Sequence, residues 1–286
     1  MPKADEYFMG YRHAEQERLQ RQAQELEQES RWLLDQIGLP VGARVVEIGC
    51  GPRGCLDLLA ERVGTSGEVV GVERSEEAVT LARKFIAERN LANVRVLHGD
   101  ARHAGLPKGE FDLATARLVL INLPHPEEVV SEMAALVRPG GVVALHEADW
   151  MASACDPPLP AWNRLNDLML AFAKKNGNDL LIGRRLPRML REAGLVDVRI
   201  NPLLHVPPLG HPRRMLLLDV VENLRERVLS EKLIDEAELD ASMASLRRHL
   251  EDPDTLEIFA LYFQAWGRKP GAAGDVGAIR RKQPGR

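Results

Sequence analysis

An acidic residue and three closely spaced glycines follow a short apolar run in the first fifth of the chain. The stretch Arg44-Val-Val-Glu-Ile-Gly-Cys-Gly-Pro-Arg-Gly54 places Glu47 two residues before Gly49, with Gly51 and Gly54 after it. Glycine has no Cβ, so it adopts positive φ and lets backbone N–H groups approach a ligand closely. The stretch therefore predicts a strand-to-loop turn that holds a nucleotide-like ligand, and hence an enzyme.

Glu47 indicates which ligand the loop favours. The spacing Gly49-x-Gly51-x-x-Gly54 also fits the dinucleotide fingerprint, with Glu73 at the end of a second strand as the ribose acceptor. A carboxylate in the loop repels a pyrophosphate, however, and attracts a cation. S-adenosylmethionine carries a sulfonium and an ammonium and no phosphate, so the loop favours it over NAD. A nicotinamide oxidoreductase is kept as an alternative that ligand titration would exclude.

Four further segments continue in the same direction: the first reads as a buried strand that ends in an acid, the second as a strand that ends in Gly-Asp-Ala, and two more follow. They are Glu68–Glu73, Asn93–Ala101, Phe111–Ala116 and Leu136–Leu145. Together with the glycine loop, these motifs in this order resemble the class I S-adenosylmethionine-dependent methyltransferases. Within that class, they resemble the small-molecule branch with the ubiquinone and menaquinone methyltransferases and many natural-product enzymes. Five motifs in order are far more specific than any one of them, and the resemblance covers roughly residues 40 to 200.

The resemblance implies S-adenosylmethionine as the cofactor and assigns residues to its parts. Glu47, Gly49 and Gly51 would lie at the methionine moiety, and Glu73 would accept hydrogen bonds from the ribose hydroxyls, with Arg74 next to it. This assignment predicts one continuous cofactor site along the ends of the first two strands.

The remaining cofactor candidates follow the third and fourth strands. Asp100 would accept a hydrogen bond from the adenine amino group, with Ala101 beside the ring, as the resemblance implies. Arg117 would contact the cofactor carboxylate or an acidic substrate, or else form a surface ion pair. Arg53 stands where the family commonly has a third glycine, which leaves the direction of its side chain open.

Two tyrosines precede the first predicted helix. Related enzymes often fold an N-terminal segment over the cofactor, so Tyr11 is assigned to the cofactor carboxylate and Tyr7 to the substrate pocket. Simple packing is the alternative for both.

Acid–base chemistry, where methyl transfer uses it, would come from residues at the ends of strands four and five. His146 and Glu147 close the fifth strand, and alternation along a strand means that only one of them points toward the site. We name both as catalytic candidates, with a packed strand-end residue as the alternative reading.

The acceptor pocket is predicted from polar and aromatic residues near the same strand ends. Aromatic side chains supply a wall for an apolar or planar acceptor, although core packing is their commoner role. The candidates are Asn122, His125, Trp150 and Trp162.

We predict no metal site. Cys50, Cys55 and Cys155 show no metal-ligand spacing and are expected to be reduced thiols. Asp149 with Glu147 does not complete an oxygen-ligand set.

Composition restricts the partners. The 286 residues carry a formal net charge of -4, which gives no long-range attraction for phosphate backbones, so nucleic acid is disfavoured. No segment approaches the ~20 apolar residues of a membrane span, and the first residues are charged rather than signal-like. We expect a cytoplasmic protein whose partner is a small-molecule methyl acceptor.

Strand and helix patterns alternate through the middle of the chain. An amphipathic helix over 12–37 comes first and could also mediate a homo-oligomer. Strands are predicted at 43–48, 68–73, 93–98, 111–116, 141–147, 196–200 and 256–266, and helices at 55–63, 75–90, 126–138, 161–175, 182–193 and within 209–253.

This alternation is typical of an α/β fold with a doubly wound, mostly parallel seven-stranded sheet, the Rossmann-like methyltransferase fold. We divide the chain into an N-terminal helical segment (1–40), a cofactor-binding core (41–200), a helical cap inserted before the last strand (201–267) and a flexible tail (268–286). The cap would cover the open edge above the cofactor.

The predicted function is methyl transfer from S-adenosylmethionine to a small organic acceptor by C-, O- or N-methylation, in secondary or quinone- and prenyl-type metabolism. The cap favours a discrete, partly apolar molecule that must be enclosed. A non-catalytic S-adenosylmethionine-binding scaffold or regulator is the alternative, and RNA or protein substrates are disfavoured by the acidic balance.

Overall fold

A seven-stranded sheet forms the centre of the protein. The computed structural model describes residues 13–271, apart from the side chains of residues 13–17 and 152. The strands are β1 (Arg44–Ile48), β2 (Glu68–Glu73), β3 (Val94–His98), β4 (Phe111–Arg117), β5 (Val137–Asp149), β6 (Ala154–Asp156), β7 (Val196–Leu204), β8 (Leu256–Ile258) and β9 (Leu261–Arg268).

The order of strands in the sheet is β3-β2-β1-β4-β5-β9-β7. The strands β1 to β5 are parallel, whereas β9 lies antiparallel between β5 and β7. The predicted doubly wound, mostly parallel sheet is confirmed.

Helices flank both faces of the sheet and form the cap. They are α1 (His13–Glu25), α2 (Glu27–Ile37), α3 (Leu56–Val63), α4 (Glu76–Glu88), α5 (Pro126–Leu136), α6 (Pro160–Lys175), α7 (Leu186–Glu192), α8 (Leu216–Ser230) and α9 (Glu236–Leu250). Within the described residues, no helix has the length and apolar character needed to cross a membrane.

Local sequence explains where the elements begin and end. The central strand β1 is buried except at its first residue, and its buried residues other than Glu47 are apolar, as expected for a parallel strand covered on both faces. Ser75 caps α4 by accepting a hydrogen bond from the Ala78 N–H at 3.2 Å, and Glu76 and Glu77 follow in the first turn.

Several predicted boundaries differ in the structure, among them the strands predicted at 141–147 and 196–200, which are longer, and three others. The N-terminal helix is divided into α1 and α2 at Leu26, whose side chain is fully buried. The predicted last strand, 256–266, is interrupted at Phe259 and Ala260, and its first part, β8, pairs with β6 in a separate two-stranded sheet. Arg268 ends β9 instead of starting the tail, and residues beyond 271 lie outside the described part.

A buried arginine fixes the cap to the sheet. The guanidinium of Arg214, in a 3₁₀ turn before α8, donates hydrogen bonds to the carbonyl oxygens of Leu250 (2.6 Å), Asp252 (3.0 Å) and Thr255 (2.6 Å). These carbonyls lie between the end of α9 and the start of β8. One side chain therefore supplies hydrogen-bond donors to the backbone carbonyl groups of the segment that connects the cap to the sheet.

We expect Arg214→Met to lower the free energy of unfolding by about 2–5 kcal/mol, because several buried carbonyl groups lose their donor. The control is Arg188→Met, since Arg188 is exposed and pairs only at 3.7 Å with Glu192. That change should alter stability by less than about 0.5 kcal/mol. Urea unfolding of the two variants measures both values, and equal losses would contradict the role given to Arg214.

Candidate active site

A cavity opens at the carboxyl ends of β1, β2 and β4. We call it the main cavity; it encloses about 1050 Å³, part of it open to solvent. It lies where the strand order reverses around β1, the usual position of a ligand site in an open parallel sheet. Of the predicted cofactor residues, it is lined by Glu47, Gly49, Gly51, Glu73, Arg74, Asp100, Ala101 and Arg117, whereas Tyr11 lies outside the described residues.

The three glycines of the loop after β1 have different surroundings. A Cβ on Gly49 would lie 2.6 Å from Val119 Cγ2, and one on Gly54 would lie 2.6 Å from a carboxylate oxygen of Glu47. A Cβ on Gly51 would meet nothing within 4 Å, although its φ of +58° also favours glycine. Gly49 and Gly54 therefore allow the loop to pack, whereas Gly51 faces free space.

Glu47 is buried beneath this loop with 2% of its surface exposed. Its carboxylate accepts the Cys55 N–H at 2.9 and 3.0 Å, at the start of α3. Burial raises the pKa of Glu47 to about 7, although the Arg117 cation and the Cys55 hydrogen bond favour the charged form. Its charge is thus sensitive to any cation that enters the cavity.

Glu73 is held in place by two backbone groups at the end of β2. Its Oε2 accepts the Gly51 N–H at 2.9 Å, and its Oε1 accepts the Ser75 N–H at 2.8 Å. A carboxylate has about four acceptor positions, so the group can still accept ligand hydroxyls.

Asp100 follows β3 and forms an ion pair that the sequence analysis missed. Arg102 donates from its backbone N–H (2.8 Å) and Nε (3.0 Å) to Oδ1 and from Nη2 (2.8 Å) to Oδ2. These hydrogen bonds lower the pKa of Asp100 to about 2. The Asp100 side chain is therefore a permanent anion. The spacing of an acid and an arginine two residues apart was the signal in the sequence for this ion pair.

Arg117 points inward, so the alternative of a surface ion pair is wrong. Its Nη1 donates to Ser30 Oγ at 2.9 Å and its Nη2 to the Gly54 carbonyl oxygen at 3.1 Å. It thereby connects α2 with the glycine loop. Arg53 points away from the loop, where its Nη2 donates to Asp57 Oδ2 at 2.9 Å.

The two catalytic candidates point to opposite faces of the sheet, and neither lines the main cavity. Glu147 is fully buried and accepts the N–H groups of Val119 (2.9 Å) and Leu120 (2.7 Å), so it stabilises the turn after β4. Burial raises the pKa of Glu147 to about 8.

His146 is buried edge-on against Tyr262, with ring centroids 5.9 Å apart. Neither ring nitrogen has a hydrogen-bond partner among the described residues, and burial lowers the pKa of His146 to about 3. Its ring is therefore neutral. A catalytic role for His146 or Glu147 stays a prediction, which this placement does not support.

A second, mainly apolar cavity adjoins the first, and we call it the side cavity. It encloses about 540 Å³ and shares Leu19, Gln22, Leu118 and Asn122 with the main cavity. Its aromatic and aliphatic walls come from the ends of β5 and β9, the segment before β9 and the cap. These wall residues are Ile121, Ala148, Trp150, Leu180, Leu216, Val220, Phe259 and Tyr262, and Arg18 of α1 also lines the cavity.

Two of the predicted pocket residues, Asn122 and Trp150, line the side cavity. His125 is exposed at the start of α5, and Trp162 packs within the core on α6, so neither contributes to this wall. Tyr7 lies outside the described residues.

No pocket role was predicted for Leu19 and Gln22 of α1, for Phe259 before β9 or for Tyr262 within β9. The signal for α1 was its amphipathic pattern, which did not show where the helix would pack. Within the described residues, no group of three or more His, Cys, Asp or Glu side chains could hold a metal ion.

Comparisons with known proteins agree with this architecture. A family model described as a methyltransferase domain matches residues 40–194. The demethylmenaquinone methyltransferase of Geobacillus sp. (strain WCH70) is 28% identical over 186 residues, which cover 59% of this chain and 77% of that protein. An uncharacterized 37.1 kDa protein in transposon TN4556 of Streptomyces fradiae is 31% identical over 175 residues, covering 61% of this chain and about half, 49%, of its own length.

Solved structures show the same fold at low sequence identity. Phosphoethanolamine N-methyltransferase 2 of Haemonchus contortus, in complex with S-adenosyl-L-methionine, has a TM-score of 0.55 at 16% identity, over 85% of this chain and 52% of its own. The YcgJ protein of Bacillus subtilis has a TM-score of 0.57 at 17% identity, over 86% of this chain and 100% of its own.

Two glycine substitutions test the loop. Gly54→Ala should lower the free energy of unfolding by about 3 kcal/mol, because a left-handed conformation and a clash with buried Glu47 add together. Gly51→Ala has the matched backbone strain without the clash, so it should cost about 1–2 kcal/mol.

Denaturant unfolding of both variants measures the difference. Titration with S-adenosylmethionine should show weaker binding by Gly51→Ala, whose methyl group enters the main cavity. Equal stability of the two variants would argue against the packing of Gly54 on Glu47.

Proposed function

The chain belongs to the methyltransferase-domain family, which uses S-adenosylmethionine, and we propose that it transfers the methyl group to a small, largely apolar acceptor of quinone or prenyl type. The observation that carries this proposal is the direct contact of two unlike cavities at one edge of the sheet. The main cavity is lined by charged side chains of both signs, and the side cavity mainly by aromatic and aliphatic ones.

The side chains of the main cavity fit the cofactor chemically. The Glu73 carboxylate has acceptor capacity for hydroxyl groups, and Asp100 is a permanent anion. The free space beside Gly51 suits a ligand that approaches the backbone. Glu47 and Arg117 bring one acid and one base to the same end of the cavity, which fits the ammonium and the carboxylate of an amino acid.

When bound, S-adenosylmethionine supplies an electrophilic methyl group that a nucleophile displaces in line. The contribution of the protein is to align the acceptor and to exclude water. Leu19 and Gln22 of α1 line both cavities and cover the passage between them. Trp150 and Phe259, with ring centroids 4.6 Å apart, form an apolar wall against which a planar acceptor can be oriented.

The similarity to demethylmenaquinone methyltransferases supports a quinone-type acceptor, as does the aromatic wall of the side cavity. Since neither His146 nor Glu147 lines a cavity described above, positioning and desolvation are the main effects that we assign to the protein.

Substitution of the two predicted nucleoside acceptors tests the cofactor site. Glu73→Ala and Asp100→Ala should each weaken S-adenosylmethionine binding about 10- to 100-fold, because each removes a hydrogen bond to a charged group. Glu88→Ala is the control, since Glu88 is exposed on α4. Calorimetric titration measures the affinities. Unchanged binding in both test variants would contradict the assignment of Glu73 and Asp100 to the cofactor site.

Turnover separates an enzyme from a scaffold. Methyl-labelled S-adenosylmethionine, incubated with the protein and a panel of reduced quinones and prenylated phenols, should yield labelled product. Tight cofactor binding without transfer to any acceptor of the panel would favour the non-catalytic alternative.

Cofactor affinity should depend on pH through Glu47. Because the pKa of Glu47 is raised to about 7 in the free protein, the group loses its charge as the pH falls below that value. A ligand cation binds the charged form better, so affinity should fall by up to about tenfold per unit of pH below about pH 7 and level off above it.

The Glu47→Gln variant should bind more weakly at about pH 8 and show a flat profile, whereas Asp100, with a pKa of about 2, does not titrate in this range. Titrations between about pH 5.5 and 8.5 measure both profiles. A flat profile for the unaltered protein would show that the charge of Glu47 does not contribute to binding.

A further inference from the structure

A third cavity continues from the side cavity toward the protein surface, and we call it the arginine cleft. It has a volume of about 360 Å³, part of it open to solvent, and shares Arg18, Gln22 and Leu216 with the side cavity. Its charged walls are three arginines, Arg18, Arg21 and Arg213, and two acids, Glu25 and Asp219.

Arg213 lines the arginine cleft and also a small cavity that shares Leu216, Phe259 and Tyr262 with the side cavity. Only 9% of its side chain is exposed, and its guanidinium carbon lies 5.4 Å from the centroid of the Tyr262 ring. Tyr262 lines the side cavity. The cation therefore borders the aromatic wall against which we orient the acceptor.

The positive charge of the buried Arg213 guanidinium is only weakly neutralised by its neighbours. Its ion pair with Glu25 is 3.7 Å from Nε to Oε2, which is longer than a hydrogen bond. Among the hydrogen bonds of the described residues, none is donated by this side chain, whereas a guanidinium carries five N–H donors. A buried charge of this kind calls for a partner.

The nearby acids supply that partner only in part. Glu257 lines the same small cavity as Arg213, but burial raises its pKa to about 8, which favours its neutral form. Against the effect of burial, the pKa of Glu29 is lowered by its hydrogen bond with His205 and by the charge of Arg213, yet the Glu29 carboxylate is paired with His205 at 2.6 Å. Arg213 is therefore left without a carboxylate at hydrogen-bond distance among the described residues.

We propose that the methyl acceptor carries a carboxylate at one end of an apolar body, with the carboxylate bound to Arg213 and the apolar body in the side cavity. This inference rests on the proposed function and specifies its substrate class. A carboxylate matches the planar fork of a guanidinium through two parallel hydrogen bonds.

Three probes of one shape and different charge test the proposal. They are 2-naphthylacetate, its neutral amide 2-naphthylacetamide, and the cationic 2-(2-naphthyl)ethylamine, titrated into the protein saturated with S-adenosylhomocysteine. The acetate should bind at least about tenfold more tightly than the amide, as expected for a charge-assisted hydrogen bond. The amine should bind more weakly than both.

Variants assign the preference to one residue. Arg213→Gln should reduce acetate binding about tenfold or more and leave amide binding unchanged, and Arg213→Lys should keep part of the preference because it keeps the charge. Arg188→Gln, on the exposed face of α7, is the matched control and should bind all probes like the unaltered protein. Thermal unfolding of each variant separates lost binding from lost folding.

Four results would overturn the inference: equal binding of acetate and amide, tightest binding of the amine, binding of none of the three probes, or an acetate preference that survives in folded Arg213→Gln. The titration with S-adenosylhomocysteine alone gives the separate outcome. If the unaltered protein does not bind S-adenosylhomocysteine, the proposed function fails as well. If the protein binds S-adenosylhomocysteine but the probes show no charge preference, only the assignment of a carboxylate-bearing acceptor fails.

Discussion

A buried carboxylate at the end of the central strand determines the shape of the site. Glu47 is almost inaccessible to solvent, yet it must keep hydrogen-bond partners, and the Cys55 N–H at the start of α3 supplies them. This contact brings the loop so close to Glu47 that position 54 has no space for a Cβ. The nearby Arg117 then connects the loop to α2. The glycine spacing, the start of α3 and the docking of the N-terminal helices thus depend on one desolvated acid.

A second buried carboxylate, two strands away from β1 in the sheet, acts in the same way. Glu147, on β5, accepts the N–H groups of Val119 and Leu120 and so fixes the turn that follows β4. Val119 and Leu118 in that turn line the main cavity, and Leu118 also lines the side cavity. The boundary between the two cavities is therefore set by a side chain that reaches neither of them. A strand-end acid can shape a site without taking part in its chemistry.

The sequence predicted the first three strands well because each is a short run with apolar residues that ends at an acid or next to a glycine, which is a local pattern. The same locality explains the prediction of Glu73 and Asp100, which line the main cavity at the ends of β2 and β3. Long-range packing was not predictable: Leu26, where α1 and α2 meet, is fully buried, and Phe259, where the predicted last strand is interrupted, packs against Trp150. The roles of Arg117 and Arg213 also depend on partners far away in the chain.

The position of β9 has a consequence for how the chain folds. This strand pairs with both β5 and β7, and its partners on β5 precede it by more than a hundred residues. One edge of β5 pairs with β4, and the other pairs with β9. During synthesis, this second edge has no partner in the sheet until the whole cap and residues 261–268 have been made. Non-local strand pairing of this kind is slow, and an open edge favours contacts between chains. The length of the cap therefore determines how long this edge of β5 stays unpaired, and a longer cap would increase the exposure of the nascent sheet to aggregation.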